Sequence, residues 1–600
     1  MEPAGQKIMK RTLEIFLVVS ALILIGVMVW GMDRGFDPTD EGYNLLGLDP
    51  AQEKGYIYSA LQFVLLSRLF GWLDGVLAYR ALSIVITLPA ALVFGWGFQR
   101  LLGRLYPGRV VLAGWASAAW FVGVSFFFNV SLSLTFSYNI FLNACMLLTG
   151  GLLLYSLAIL GEAGQRRRLR LAWGGIGLAL GLALLVKPTG ALGLALLHLA
   201  SLLLFAPRAW KAALRDGLLP AAAGGVLALL LALALNVIGP LLETLRGGVV
   251  LHPGHQLADL LVVLRQDARE LFWYLLPFSG LVLGALACGV GFAVWDRLEE
   301  RLARRGGLLF TLLLGAAASL LFPLVSNALF DRKLRVPLLG TFIVILMLLI
   351  AITAPALWKR LRAAQAGQSA AEWRKLLLGA YLLLLPLGTA AGTNNLLQWQ
   401  LWIHITPWLG LMLVLFQETQ LSRWTWYTGW IVLAFVAAWI WSEWLVGYFV
   451  WPYRLQAYRS AQSEPVNVRS TRFAGLKVDE KTKTYLEEFD QIVGASQFRA
   501  GYGVIGLYDI PGMIYLVEGC SPGDPWFMAD IKWAPALLNS VRSSRLAKPT
   551  YLIVTNQPLS PTVESFISGP EVNFPDAYRQ LGRTQNPVRI RDTTIYERRR

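Results

Sequence analysis

Apolar runs of about 20 residues recur from residue 12 to about residue 450, and no other feature restricts the fold so severely. Each run is long enough to cross a hydrocarbon core of ~30 Å as a helix. Inside that core the backbone has no water to bond with, so runs of this length mean helices and not a barrel. Composition agrees: 56% of residues are hydrophobic and only 15% are charged, against roughly 25% in soluble domains.

We expect a polytopic α-helical membrane protein of about 13 transmembrane helices, followed by a soluble α/β domain. The spans are placed near 12–32, 77–99, 110–128, 133–160, 171–187, 189–206, 217–238, 271–295, 308–329, 336–357, 376–393, 397–416 and 425–449. Stretch 171–206 is too long for one crossing, and Lys187-Pro188-Thr189 supplies the break between two. Residues 1–451 form the membrane module, with long outer loops at 33–76 and 239–270, and 452–600 form the soluble domain. The first apolar run carries no small-residue cleavage site before the acidic loop and reads as a retained span, not a signal peptide.

The net charge of +16 does not call for nucleic acid. The basic residues sit in short clusters between spans, as topology signals do. With the N-terminus inside, the cytoplasmic connections hold 23 Lys and Arg, and the outer connections before the terminal domain hold 11. This excess puts the N-terminus in the cytoplasm, and thirteen crossings put the C-terminal domain outside, periplasmic if the membrane is a bacterial inner membrane. Cys145, Cys288 and Cys520 lie too far apart in sequence to suggest a disulfide framework or a CxxC metal site.

Beyond Trp451-Pro452 hydropathy falls, and acidic and basic residues mix with turn signals such as Ile510-Pro511-Gly512. Strands are expected at Gly503–Tyr508, Met513–Val517 and Tyr551–Val554, with an amphipathic helix over Lys481–Val493. Amphipathic stretches at Tyr58–Trp72 and Leu257–Leu271, inside the two long outer loops, suit helices lying in the membrane interface.

The chemistry concentrates in Phe36-Asp37-Pro38-Thr39-Asp40-Glu41-Gly42-Tyr43, a few residues past the first span on the outer face. Three carboxylates in five positions at a membrane surface are costly and tend to serve function, although Thr39 or Asp40 would also cap a helix starting at Glu41. The pair Asp40-Glu41 with Gly42-Tyr43, and Tyr79-Arg80-Ala81-Leu82-Ser83 opening the second span, resemble the GT-C superfamily. These are membrane glycosyltransferases that use polyprenyl-phosphate sugars, among them protein O-mannosyltransferases and lipid A aminoarabinose transferases. The resemblance covers the N-terminal ~200 residues and, beyond them, the pattern of spans, the long outer loop and the outer C-terminal domain. Many of the mannosyltransferase type carry a Lys-Pro-Pro stretch near the place where this chain has Lys54-Gly55-Tyr56, so no role is carried over to Lys54. No DxD metal motif stands out in a later loop, so the resemblance is to the metal-independent branch, with no cofactor expected.

The resemblance implies inverting transfer of a sugar from a polyprenyl-phosphate donor to a hydroxyl of an extracytoplasmic glycan, lipid or protein. Asp40 is then the general base that takes the acceptor proton, with Glu41 orienting it or sharing the role; Asp37 is a weaker candidate. The departing phosphate needs cations. Arg80, Lys187, Arg332, Lys333 and Arg335 lie on the outer face, where snorkelling to headgroups is their ordinary use. Tyr43 and His255 are candidate contacts to sugar or lipid; His252 and His255, with no third ligand near, make a weak metal site. His198 and His404 fall within spans and have no assigned role. A lipid-linked polysaccharide polymerase or ligase is the related alternative, and a transporter or flippase the unrelated one. The last predicts mid-membrane charges and repeat symmetry, and neither is evident.

Overall fold

The computed structural model describes residues 4–52, 61–107, 112–130, 132–162, 164–205, 210–242, 370–390, 397–418, 446–450, 452–455, 457–523, 550–568, 572–587 and 591–599, with a few single residues between. The spans placed at 271–295, 308–329, 336–357 and 425–449 lie outside or almost outside the described residues. So do most of the second long outer loop and Cys288.

Six described helices are long and apolar enough to cross a membrane. They fall in α1 (Ala4–Trp30), α4 (Val76–Leu105), α6 (Tyr138–Ile159), α7 (Arg166–Val186), α8 (Pro188–Phe205) and α9 (Trp210–Ala234). Two short helices, α2 (Asp40–Leu48) and α3 (Leu61–Phe70), occupy the loop between α1 and α4. The break foreseen at Lys187 is present: Lys187 ends α7 and Pro188 opens α8, a position where its missing N–H costs nothing.

Two expected spans take another form. The 110–128 run folds as α5 (Gly114–Ser125), only 12 residues long, followed by a 3-10 turn at Phe127–Val130. At ~1.5 Å per residue α5 falls well short of a crossing. The 397–416 run is interrupted after Ile403 into α11 (Leu397–Ile403) and α12 (Thr406–Glu418), with Pro407 in the first turn of the second. Helix α10 (Ala370–Ala390) precedes them and carries Glu372, Arg374 and Lys375 in its first turns.

Helix α6 is the hub of the bundle. Its apolar window is 89% buried, against 22% in α9, whose outward face is left for lipid. Close approach to α4 is possible because Gly97 meets Gly151 backbone to backbone: a Cβ at Gly97 would stand 2.0 Å from the Gly151 carbonyl oxygen. Without a hydrophobic drive between helices in lipid, such small-residue contacts supply the packing.

The C-terminal region is an α/β structure. Helix α13 (Glu480–Gly494) matches the amphipathic expectation and is capped by Asp479, whose carboxylate accepts from Thr482 N at 3.1 Å. A four-stranded sheet has the order β3 (Gly503–Leu507), β4 (Thr550–Thr555), β6 (Arg591–Arg598), β5 (Tyr578–Asn586). The β3–β4 pair is parallel and the others are antiparallel. A small pair, β1 (Glu464–Pro465) with β2 (Lys477–Val478), lies toward the membrane module. The stretch Met513–Val517, expected as a strand, is instead α14 (Pro511–Leu516), with Pro511 as its first residue. Its apolar run is buried on all sides, and periodicity alone does not separate a buried strand from a buried helix.

Candidate active site

The acidic segment is built around a sharp entry into α2. Asp37 is fully buried, and its carboxylate accepts from the N–H groups of Thr39 (2.9 Å), Asp40 (3.1 Å) and Glu41 (3.4 Å) and from the Thr39 hydroxyl (2.5 Å). The helix-start amides are thus satisfied by Asp37, where Thr39 or Asp40 was expected. Burial and then the adjacent Asp40 charge push the Asp37 carboxyl up to about 7, against the pull of Arg454 and Thr39.

Glu41 faces the other way, into a buried ion pair with Arg80. Arg80 Nε and Nη2 donate to its two oxygens at 2.8 and 2.9 Å, a two-point grip. The Thr135 hydroxyl and the Asp37 N–H (3.0 Å) donate to the same carboxylate. Burial disfavours the Glu41 charge, but Arg80 and these donors outweigh it and hold the carboxyl below its ordinary range. The rest of the Arg80 guanidinium closes the turn after α1: it donates to the carbonyls of Met32 (2.7 Å), Arg34 (3.3 Å) and Gly35 (2.6 Å). All five N–H groups are therefore spent on protein.

Asp40 is the accessible member, its side chain 23% exposed. Arg454 Nη1 lies 3.2 Å from one oxygen, and the Tyr453 hydroxyl donates to the other. Arg454 Nη1 also donates to Thr39 Oγ1 at 2.5 Å. Arg454 has a positive φ of 54°, a conformation that costs a non-glycine residue roughly 1–2 kcal/mol. Burial first, and then Asp40, raise the Tyr453 hydroxyl pKa, so it stays a donor.

Tyr453 and Arg454 belong to the segment entering the C-terminal region, which clasps the first outer loop. Gly512 N donates to the Pro38 carbonyl at 2.7 Å, and a Cβ on Gly42 would stand 2.3 Å from Gly512 Cα. Only two glycines allow α2 and α14 to lie so close. Gln52 bonds the backbone of Gly519 (2.9 Å) and Ser521 (2.9 Å). Arg472 pairs with Asp49 (2.9 Å) and Asp74 (3.3 Å), and Lys477 with Asp33 (2.6 Å).

The structure thus gathers Asp40, Glu41 and Arg80 at one place. Tyr43 packs from α2 edge-on against Phe63, which in turn meets Tyr138 at the head of α6. Lys187 lies in another cluster, buried, with Nζ donating to Gln400 Oε1 at 3.3 Å. His255, Arg332, Lys333 and Arg335 fall outside the described residues, as does Lys54. Tyr453, Arg454 and Thr135 were not singled out from the sequence. The signal for the first two was an aromatic-basic pair directly after the last apolar run, on the side expected from the sequence to hold few cations. Thr135 carried none. Among the described residues no three His, Cys, Asp or Glu side chains converge as metal ligands.

No family model matches the chain, and no curated protein matches it. Among solved structures, the crystal structure of the Archaeoglobus fulgidus oligosaccharyltransferase, in complex with Zn and sulfate, is similar to it at 13% identity. The TM-score is 0.43, over 97% of this chain and 73% of that one, a likeness too distant to assign fold or activity.

Proposed function

We propose that the chain is a membrane glycosyltransferase of the GT-C type, which moves a sugar from a polyprenyl-phosphate donor to an acceptor hydroxyl on the outer face. The observation that carries this reading is the division of labour in the acidic segment. Asp37 is spent on the α2 amides and Glu41 on Arg80, which leaves Asp40 as the partly exposed carboxylate of the segment, beside Tyr453 and Arg454.

In the proposed reaction the acceptor oxygen attacks the anomeric carbon as the bond from that carbon to the phosphate oxygen breaks. Configuration inverts, the polyprenyl phosphate leaves with the electron pair, and Asp40 takes the hydroxyl proton. Tyr453 and Arg454 hold the carboxylate in place through one contact to each oxygen. Glu41 and Arg80 fix the turn that aims Asp40. With Arg80 occupied, Lys187 is the described residue we assign to the donor phosphate, and Arg332, Lys333 and Arg335 stay further candidates. The acceptor is a glycan, lipid or protein hydroxyl, and the first long outer loop with its interfacial helix α3 presents the lipid.

The test is turnover of polyprenyl-phosphate sugars by purified protein in nanodiscs. Asp40→Asn keeps size and hydrogen-bonding reach but removes basicity, and the expected loss is roughly 10²–10⁴-fold. Near-parental turnover by this variant, with unchanged folding, refutes the assignment.

A further inference from the structure

Around Lys187 lies a set of buried polar side chains that the packing does not satisfy. Asn139 and Asn143 come from the first turns of α6, Gln400 from α11, and His404 from the turn before α12. All four are buried, as is Lys187. Lys187 Nζ bonds Gln400, and its charge acts on His404, whose Nδ1 lies 3.3 Å from Asn143 Oδ1. Lys187 has no carboxylate within ion-pair distance among the described residues. Among the same residues, Asn139 Oδ1, Asn143 Nδ2 and His404 Nε2 are buried without a hydrogen-bond partner.

Native proteins leave few such atoms; two on the His404–Asn143 pair and a third one helical turn away at Asn139, near a buried lysine without a described carboxylate, suit a polar ligand. The unsatisfied donors and acceptors define the chemistry such a ligand needs. Lys187 and Asn143 Nδ2 offer donors, while Asn139 Oδ1 and, with Nδ1–H donating to Asn143, His404 Nε2 offer acceptors. Rotating the Asn143 amide exchanges two of these roles and leaves the mixture intact. A fully ionised phosphate supplies acceptors only and would leave the lone pairs unmatched. Hydroxyls supply both, and the Lys187 charge asks for an anion beside them.

We infer that Asn139, Asn143 and His404, with Gln400 holding Lys187, form a subsite that reads the hydroxyls of a glycosyl phosphate. This rests on the glycosyl-transfer reading and adds to it the residues that set donor-sugar preference. The subsite adjoins the Asp40 region: Asn139 lies four residues, hence at most about 14 Å of chain, from Thr135, which donates to Glu41.

Binding, not turnover, tests this, in the Asp40→Asn background so that no donor is consumed. The probes are a short-chain polyprenyl phosphate, bare, and the same lipid carrying each of a panel of hexoses, amino sugars and pentoses. Affinities are read from tryptophan fluorescence in nanodiscs. We expect at least one glycosylated form to bind about tenfold or more tighter than the bare lipid, the worth of one or two hydrogen bonds to buried groups. The double variant His404→Phe/Asn143→Leu should abolish that preference while binding of the bare lipid changes less than twofold. It should also match or exceed the parent in thermal stability, because it removes both partners of one hydrogen bond together with the unsatisfied atom that each carries. A preference that survives the double variant means that the cluster holds water only and overturns the inference. Equal loss of bare and glycosylated lipid makes it a phosphate seat and overturns it too. Equal binding of all forms by the parent refutes the subsite and leaves the transfer reading standing, whereas binding of none refutes both.

Discussion

The Arg80–Glu41 pair makes a demanding test of how the acidic segment is held. Both side chains are almost fully buried, at 4% and 2% exposure, so water cannot replace either partner. Removing Arg80 leaves a buried carboxylate with only Thr135 and the Asp37 N–H, and strands the carbonyls of Met32, Arg34 and Gly35. Breaking a buried pair from one side costs about 3–5 kcal/mol. We therefore expect Arg80→Met and Glu41→Leu each to destabilise the protein by that order. The double variant should lose less than the sum, with a coupling of roughly 1–3 kcal/mol. The assay is reversible unfolding in detergent across the full cycle. The pH dependence has a definite sign. Glu41 is held below its ordinary value of 4.5, so its contribution is complete above that pH and fades as the pH falls through the lower folded-state pKa. Glu41→Leu should lack this acid-side loss. An additive cycle, or an Arg80→Met variant as stable as the parent with selectively weakened lipid-phosphate binding, would refute the clamp and return Arg80 to the phosphate role expected from the sequence.

Two further outcomes follow from the geometry. Gly42→Ala must push α2 off Gly512, so it should cost about 1–3 kcal/mol in thermal stability and lower turnover, since the same contact places Asp40 under Tyr453 and Arg454. Asp37 has its carboxyl raised from 3.8 to about 7, so its charge weighs against the fold increasingly as pH rises between those values. Asp37→Asn, read by thermal unfolding across that window, should therefore gain on the parent as pH rises.

Periodicity and length were sufficient for much of the architecture. The apolar runs at 12–32, 77–99, 133–160, 171–187, 189–206 and 217–238 all contain helices long enough to span. Lys187-Pro188 breaks where the proline requires it, because that rule is local. Local rules also gave the α13 helix and strands β3 and β4. They failed at 110–128, 397–416 and Met513–Val517, where an apolar run is buried whichever way it folds and hydropathy does not encode its breaks.

The carboxylates divide in the same way. The acidic cluster at residues 37–41 was legible from three acids within five positions just after the first span, and the resemblance singled out Asp40. Which acid is spent on structure was not legible, because the answer depends on partners far along the chain. Arg80 reaches Glu41 across 39 positions, Thr135 across 94, and Tyr453 reaches Asp40 across 413. Asn143 and His404, 261 positions apart, meet only through helix packing. Sequence fixes which groups exist and which short segments are helical, since those energies are set within a turn or two. Whether a buried carboxylate becomes a cap, a clamp or a base is set by desolvation and by the donors that surround it, and only the tertiary structure assembles these.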